Sequence, residues 1–410
     1  MIPVEDYLAK MLEGVRPLPT VQTPLLDALG TVVARDLEAQ LAVPPFTNSA
    51  MDGFAVRFKD VRGTNPDHPT QLPVQEDLAA GVGGEHALKP GNAARIMTGA
   101  PLPVGADTVV KVEDTNIAPG PADLPGTVTF YQVGNEGAHV RAKGEDVNEG
   151  EVVIHAGEEV TPALISAAAS VGYSELPVHA RPRVAVISTG EELVAPGREL
   201  SGGQIPDSNS LLLAALAQTW GAEVVFRGRS GDSPEALAQV YDQAAEQADL
   251  IITSGGVSAG AFDVVKALGM EHDFEFTKVC MQPGKPQGHG HWETGGRRVK
   301  AINLPGNPVS VFVSFTLFVR PVLAALAGRS AKLATTHAIA ATGWKSAKNR
   351  RQYAPVIARK TDRGLEVTPT HVLAGKSHLV ATLPRATGLA VIPAATSFVD
   401  EGSSVVYIRL

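Results

Sequence analysis

Between Asp249 and Ser310 the chain runs three strand-like stretches in succession, ADLIITSGGVSAGAFD, FEFTKVCMQPGKP and RRVKAINLPGNPVS, and each ends in a loop rich in glycine or proline. A strand that stops at Gly-Gly or Pro-Gly frees backbone N–H groups that can converge on one anion, and glycine lets a ligand approach the main chain closely. Asp263, Lys285 and Asn307 sit in these loops and would add a metal or hydroxyl ligand, a positive charge and an amide. The stretch belongs to a longer alternation. RVAVIS (183–188) reads as a β-branched strand, SNSLLLAALAQTW (208–220) as an apolar helix and AEVVF (222–226) as a further strand. A helix follows, with Asp232 or Ser233 as N-cap and Pro234 in its first turn. Its apolar positions Leu237, Val240, Tyr241, Ala244 and Ala248 keep the 3.6-residue period. Strand–helix alternation with short links predicts a parallel sheet covered on both faces. Ligands of such sheets sit beyond the carboxyl ends of the strands. The loops at 189–192, 254–263, 282–287 and 304–310 should therefore line one edge, as a single cleft for phosphate or another oxyanion.

The flanks differ. Residues 1–44 carry two short helical patterns, at 3–13 and 24–29, the second opened by Thr23-Pro24 and closed by Gly30. Glycine, proline and short β runs (ARIM, DTVVKVE, GTVTFYQV) mark a small β domain over 45–138. A helix at 162–171, between Thr161-Pro162 and Gly172, returns the pattern to helix. The β domain thus reads as an insertion into a helical domain made of 1–44 and 139–178. The α/β unit covers 179–328, and 329–410 alternates weakly between turn signals, as a small β-barrel would.

Bulk properties remove several function classes. At 410 residues, 44% hydrophobic and 19% charged, the chain can bury real cores in two to four domains. A net charge of −8 without a polybasic run argues against nucleic-acid binding, which rests on phosphate neutralisation. The single cysteine, Cys280, excludes an internal disulfide framework and a Cys-rich zinc site, and it fits a reducing cytoplasm. MIPVEDYLAKMLEG has no apolar h-region of a signal peptide. The most apolar run, VSVFVSFTLFV at 309–319, stops at Arg320-Pro321, short of the ~20 residues of a membrane span. It predicts a buried core helix and no membrane association.

Some motif matches have duller explanations. Gly256-Val257-Ser258-Ala259-Gly260 fits a nucleophile elbow, but that motif needs a strand running straight into the turn, and Ser254-Gly255-Gly256 breaks it early. Gly81-Val82-Gly83-Gly84 lacks the spaced third glycine and the preceding strand of a dinucleotide fingerprint. His289-Gly290-His291 could aim two imidazoles at a metal, but it reads more simply as a turn. Asp52-Gly53 is by itself a hairpin signal, and Asp146 by itself a solvated loop carboxylate.

Together these segments form a pattern. PPFTNSAMDGFAVR, ARIMTGAPLPVGADTVV, VRAKGEDV, ISTGEELVAPG, GGQIPDSN, TSGGVSAGAFD, QPGKP and LPGNPVS occur in this order. The set resembles the molybdopterin molybdenumtransferases, the MoeA family, which also forms the E domain of gephyrin. The resemblance spans essentially the whole chain. It implies a multidomain α/β and β fold: an elongated helical domain, an inserted β domain, an α/β molybdopterin-binding-type domain and a C-terminal β-barrel. It also implies a homodimer whose active site lies between subunits.

The implied chemistry is insertion of molybdate into adenylylated molybdopterin, with release of AMP and assistance by Mg²⁺. Asp52, Asp146, Glu192 and Asp263 stand at the family's acidic positions, and Glu192 and Asp263 are the implied metal ligands. Lys285 of PGKP is the implied oxyanion partner. The same motifs place Thr98, Ser188, Thr189, Gly190, Asp207, Asn209, Ser254 and Ser258 among the cofactor contacts. The Gly255-Gly256 and Pro305-Gly306 loops, with Asn307, would cradle phosphate or pterin, and Arg350 and Ser377 would reach the anion from the barrel. The molybdopterin adenylyltransferase is the implied source of substrate.

The chain departs from the pattern at two places. Gln282 stands where relatives commonly carry the first lysine of KPGKP, so one positive charge is missing unless Lys278 or Arg351 replaces it. Ala354-Pro355 stands where a second arginine often follows the aromatic residue near Arg350. Two other readings remain at this stage: a gephyrin-like scaffold that binds peptide segments, and a serine hydrolase using the GVSAG motif.

Overall fold

A computed structural model of the chain describes residues 1–81, 84, 86–231, 233–257, 264–269 and 272–410. The chain divides into two compact units. One comprises Met1–Val21, Gly30–Ala34 and Pro177–Leu410; the other comprises Gln22–Leu29 and Arg35–Leu176.

The first unit opens with α1 (Val4–Leu12), which buries Val4, Tyr7 and Met11. The second unit is built on a five-stranded sheet of β1 (Gly53–Val56), β2 (Thr70–Leu78), β3 (Ala93–Ile96), β4 (Thr108–Lys111) and β5 (Thr127–Phe130), in the order β4-β1-β3-β2-β5. Phe54, Phe130 and Val110 fill one of its cores, and Ala55, Ile96 and Val109 fill another. The alternation of β1 therefore buries both faces. Helix α2 (Pro162–Ser170) starts where the sequence signals put it, with the Thr161 side chain accepting the Leu164 N–H. The helix expected at 24–29 does not form. Ala28 N–H reaches Pro24 O and Leu29 N–H reaches Leu26 O, one turn that goes no further. Six residues hold too few hydrogen bonds to repay helix nucleation.

The rest of the first unit alternates as expected through β6 (Arg183–Thr189), α3 (Asn209–Thr219), β7 (Glu223–Ser230), α4 (Pro234–Ala245) and β8 (Leu250–Ser254). Ser233 caps α4, accepting the Ala236 N–H; Asp232, the other N-cap considered, lies outside the described residues. After α5 (Val264–Gly269) come β9 (Asp273–Lys278), the short β10 (Met281–Gln282), β11 (Pro286–Thr294) and β12 (Arg297–Leu304). The sheet order is β7-β6-β8-β12-β11-β9. The first four strands are parallel, whereas β11 is antiparallel to both β12 and β9.

The antiparallel strand corrects the sequence reading, which took His289-Gly290-His291 for a turn. Those residues lie in β11. Its glycines answer a packing demand. A Cβ on Gly288 would meet the Phe276 ring at 2.7 Å, and one on Gly290 would strike Phe274 and the Asp273 carbonyl. Phe274 and Phe276 of β9 thus lie over positions that must stay bare, and the glycines that resemble a turn signal make room for rings.

The apolar run forms one helix, α6 (Pro308–Leu326), which does not stop at Arg320-Pro321 as expected. Residues Phe315–Val319 widen into a π-turn immediately before that pair. The wider turn accommodates a proline that can neither donate its N–H nor clear the carbonyl four residues back. Arg320 lies over the Trp220 ring, 3.5 Å from its centroid. By length and apolarity α6 would suit a membrane span, but 78% of its apolar window is buried within the protein.

The C-terminal strands β13 (Thr335–Ala340), β14 (Arg351–Thr361), β15 (Gly364–Pro369), β16 (Gly388–Ile392) and β17 (Ser404–Arg409) run in the order β14-β15-β13-β17-β16. Pairing of β14 with β16 closes the barrel, and β10 adds to β14 from outside. The chain is therefore multidomain α/β and β, with a closed terminal barrel.

Candidate active-site cleft

The carboxyl ends of β6, β8 and β12 open on a cleft of about 820 Å³ in the first unit. Strand β9 points the same way, because two antiparallel steps separate it from β12. The loop after it, which carries Pro283, Gly284 and Lys285, therefore reaches the same edge. The barrel supplies the remaining wall through Arg350, Gly375, Lys376 and Ser377.

Each strand end contributes differently. Thr189 ends β6, Gly190 and Glu192 follow it, and all three line the cleft. Ser188 does not; it is fully buried beneath the wall and donates its hydroxyl to Asp207 Oδ2 at 2.6 Å. Asp207 lines the cleft, and its Oδ1 accepts the Ser210 N–H at 3.1 Å, so this carboxylate ties the end of β6 to the start of α3. Asn209 donates from Nδ2 to the Gly306 carbonyl at 2.7 Å, joining the α3 start to the loop after β12.

After β8 come Ser254, Gly255 and Gly256, all in the cleft wall. Gly255 has φ +96° and Gly256 φ +67°, the left-handed region where side chains are disfavoured. Gly255 N–H donates to Leu304 O at 3.0 Å and so belongs to the sheet; it is not one of the free amides that the sequence suggested. Pro305, Gly306 and Asn307 complete this wall. Asn307 is the N-cap of α6 with no capping bond from its own side chain. The Val309 N–H instead donates to Ser377 O of the barrel at 3.1 Å. A long helix thus presents its positive end to the cleft.

Three polar atoms of the cleft wall are buried without a protein partner among the described residues: Asn209 Oδ1, Ser254 Oγ and Gln282 Oε1.

The other unit holds Asp52 and Thr98. Asp52 Oδ1 accepts both the Thr98 N–H at 2.6 Å and the Thr98 hydroxyl at 2.8 Å. These two bonds, the backbone one first, hold the Asp52 carboxyl below its usual range. Both residues line a smaller cleft of about 480 Å³. Asp146 is an exposed loop residue of that unit, anchored by its N–H to Val43 O at 3.0 Å. Asp263 and Ser258 lie outside the described residues.

The expected replacements for the missing lysine are not in the cleft. Arg351 forms an ion pair with Glu5, and Lys278 is exposed on β9 and does not line the cleft. The cation that the sequence reading passed over is Lys376. It precedes Ser377 in AGKSHL.

Family models match the chain in three segments. They are described as MoeA N-terminal region (domain I and II) over residues 2–172, Probable molybdopterin binding domain over 185–325, and MoeA C-terminal region (domain IV) over 337–410. The chain belongs to the MoeA family. Among relatives, Molybdopterin molybdenumtransferase 2 of Mycobacterium tuberculosis is 47% identical over 78% of this MoeA chain and 77% of its own length. The Molybdopterin molybdenumtransferase of Haemophilus influenzae is 36% identical over 85% of this chain and 84% of its own. Among solved structures, the molybdopterin biosynthesis MoeA protein from Pyrococcus horikosii superposes with a TM-score of 0.82 at 30% identity, covering 100% of this chain and 99% of that one.

Proposed function

We propose that this MoeA-family chain acts in molybdenum cofactor biosynthesis as a molybdopterin molybdenumtransferase, inserting molybdate into adenylylated molybdopterin with release of AMP. The observation that carries the reading is that Lys285, Arg350, Lys376 and the α6 N-terminus line one cleft. The substrate has a phosphoanhydride and a polar pterin, and the second substrate is a tetrahedral oxyanion. Lysine and arginine hold anionic oxygens, and helix N-termini favour them.

Mg²⁺ binds through one or two carboxylates, phosphate oxygens and water. Among the described residues no group of three His, Cys, Asp or Glu side chains could hold a metal ion. Glu192 is exposed at the cleft with no ion-pair partner among the described residues, and it is the carboxylate that would hold the ion. Asp207 is less suited, with both oxygens already engaged. Bound there, Mg²⁺ would polarise the phosphoanhydride as a Lewis acid. Asp263 stays with Glu192 in this proposal as the second ligand on the strength of its motif alone.

The same reading has the chain working as a cytoplasmic homodimer supplied by an adenylyl-transferring enzyme, since the AMP it releases must first be attached. Asp52, Thr98 and Asp146 would then serve an active site shared between subunits. Mixing Asp52→Ala and Asp263→Ala protomers should regenerate activity that neither parent has. The decisive assay measures AMP and cofactor from adenylylated molybdopterin with and without molybdate and Mg²⁺. A protein that binds the adenylylated pterin but never releases AMP would refute the reaction.

A further inference from the structure

Gln282 leaves the loop after β10 without a second cation, and its Oε1 is buried in the cleft wall without a partner among the described residues. The barrel loop facing it is held on both sides of one lysine. Gln352, itself buried, donates from Nε2 to Ala374 O at 3.0 Å. Gly375 takes φ +78° with its Cα turned so closely to the Gln352 side chain that a Cβ would collide with it. The Lys376 N–H donates to Leu373 O at 3.2 Å, and Ser377 O accepts the Val309 N–H of α6. The backbone of residues 374–377 is thus pinned to the barrel on one side and to a helix N-terminus on the other. Between the pins stands Lys376, exposed and in the cleft wall, with no carboxylate partner among the described residues. A fixed backbone carrying an unpaired ammonium beside a helix N-terminus is an anion-binding arrangement.

We propose that Lys376 binds the tetrahedral oxyanion substrate of this cleft together with Lys285 and Arg350, and that it supplies from the barrel the charge that Gln282 does not supply. The proposal rests on the reaction proposed above and names the residues of its oxyanion subsite. The two positions act on one ligand, so a lysine at either should make a lysine at the other less important.

The test uses the full-length protein and four forms: wild type, Lys376→Met, Gln282→Lys and the double variant. Molybdate alone is titrated calorimetrically, and the molybdate concentration for half-maximal cofactor formation is measured separately. Lys376→Met should weaken molybdate binding by ~10- to 100-fold, the value of one charge-assisted hydrogen bond, while leaving affinity for the adenylylated pterin nearly unchanged. Gln282→Lys should recover most of that loss in the Lys376→Met background and gain much less in wild type. Unaltered molybdate binding in Lys376→Met, or equal gains from Gln282→Lys in both backgrounds, overturns the proposal. The two readings fail separately. Wild type that binds molybdate through Lys376 but releases no AMP refutes the reaction and keeps the subsite. Wild type that turns over while Lys376→Met matches it keeps the reaction and removes Lys376.

Discussion

Ser188 and Asp207 are joined by a buried hydrogen bond of 2.6 Å at the end of β6, directly under the cleft. The second oxygen of the carboxylate holds the Ser210 N–H, so one side chain fixes both a strand end and the first turn of α3. The sequence reading had assigned Asp207 to the ligand's polar edge; the structure gives it this internal work as well. Asp207→Ala strands a hydroxyl and an N–H away from water, at about 1–3 kcal/mol for each unsatisfied group. We expect a loss of roughly 2–6 kcal/mol in urea denaturation. Asp207→Asn should lose less, since its amide can still accept from Ser210 and donate to Ser188. An Asp207→Ala protein as stable as wild type would show that the pair carries no structural role.

Two glycines of the cleft make a contrasting pair. Gly255 has φ +96°, and an added Cβ would meet Thr189 Oγ1 at 2.8 Å and its carbonyl oxygen at 2.9 Å. Gly306 is not in the left-handed region, and its added Cβ would find only Gly255 Cα, at 3.6 Å. Gly255→Ala should therefore cost roughly 1–3 kcal/mol of stability, whereas Gly306→Ala should stay within about 0.5 kcal/mol and act by narrowing the cleft. Thermal melts and pterin titrations of both variants separate the two effects. Equal destabilisation would mean that backbone conformation is not what distinguishes them.

Lys285 is held in the cleft wall by its main chain, whose carbonyl accepts the Val279 N–H at 2.8 Å. Removing the side chain leaves that bond in place, so Lys285→Ala should fold normally. If the ammonium faces the oxyanion, the molybdate requirement for cofactor formation should rise by ~10- to 100-fold with pterin affinity little changed. Loss of pterin binding in its place would move this lysine to the phosphate side of the cleft.

Asp52 and Thr98 give a charge test in the other unit. Two bonds to one carboxylate oxygen favour its ionised form, so the folded-state pKa lies below the unfolded one. The stability this adds is present above the unfolded pKa and fades as pH falls through the folded value. Thr98→Val removes the hydroxyl bond and keeps the backbone bond. NMR titration of Asp52 should show its pKa move upward while staying below that of a free carboxyl. A value that does not move would assign the whole effect to the backbone N–H.

Much of this was legible in the sequence because it depends on local pattern. β6, β8, β12 and the helices α3 and α4 follow from β-branched runs, a 3.6-residue period and the Ser233-Pro234 start. The cleft loops follow from where those strands stop. What could not be read depends on neighbours distant in sequence. β11 was hidden because Gly288 and Gly290 are required by rings of β9, a fact of packing that local pattern does not record. The second task of Asp207 depends on Ser188, brought next to it by the β6 ending. Lys376 shares a wall with Lys285, some ninety positions earlier, a juxtaposition that local pattern does not record. Arg351, one of the two possible replacements for the missing charge, pairs with Glu5, and nothing in NRRQY reveals that partner.

The same β11 makes a pH prediction. His289 lies on the face of β11 that packs on α1, with its ring centroid 5.3 Å from that of Tyr7, and its Nε2 is buried without a partner among the described residues. Burial first, then the nearby Lys300, Lys10 and His291 charges, push its pKa from 6.5 down to about 4, with Glu275 opposing. The folded protein therefore resists protonating this ring, while the unfolded chain takes up the proton near pH 6.5. The unfolded state binds more protons between these values, so stability falls as pH drops from about 6.5 towards 4. His291 is shifted the same way, again chiefly by burial, and adds to the slope. His289→Phe removes one titrating ring from a site already bounded by Tyr7. Melting temperatures measured from pH 7.5 to pH 4 should decline less steeply for His289→Phe than for wild type, with the two curves parting below about 6.5. Parallel curves over that interval would mean that the imidazole is protonated as readily in the folded protein as in the unfolded chain, and that the contact with α1 tolerates its charge.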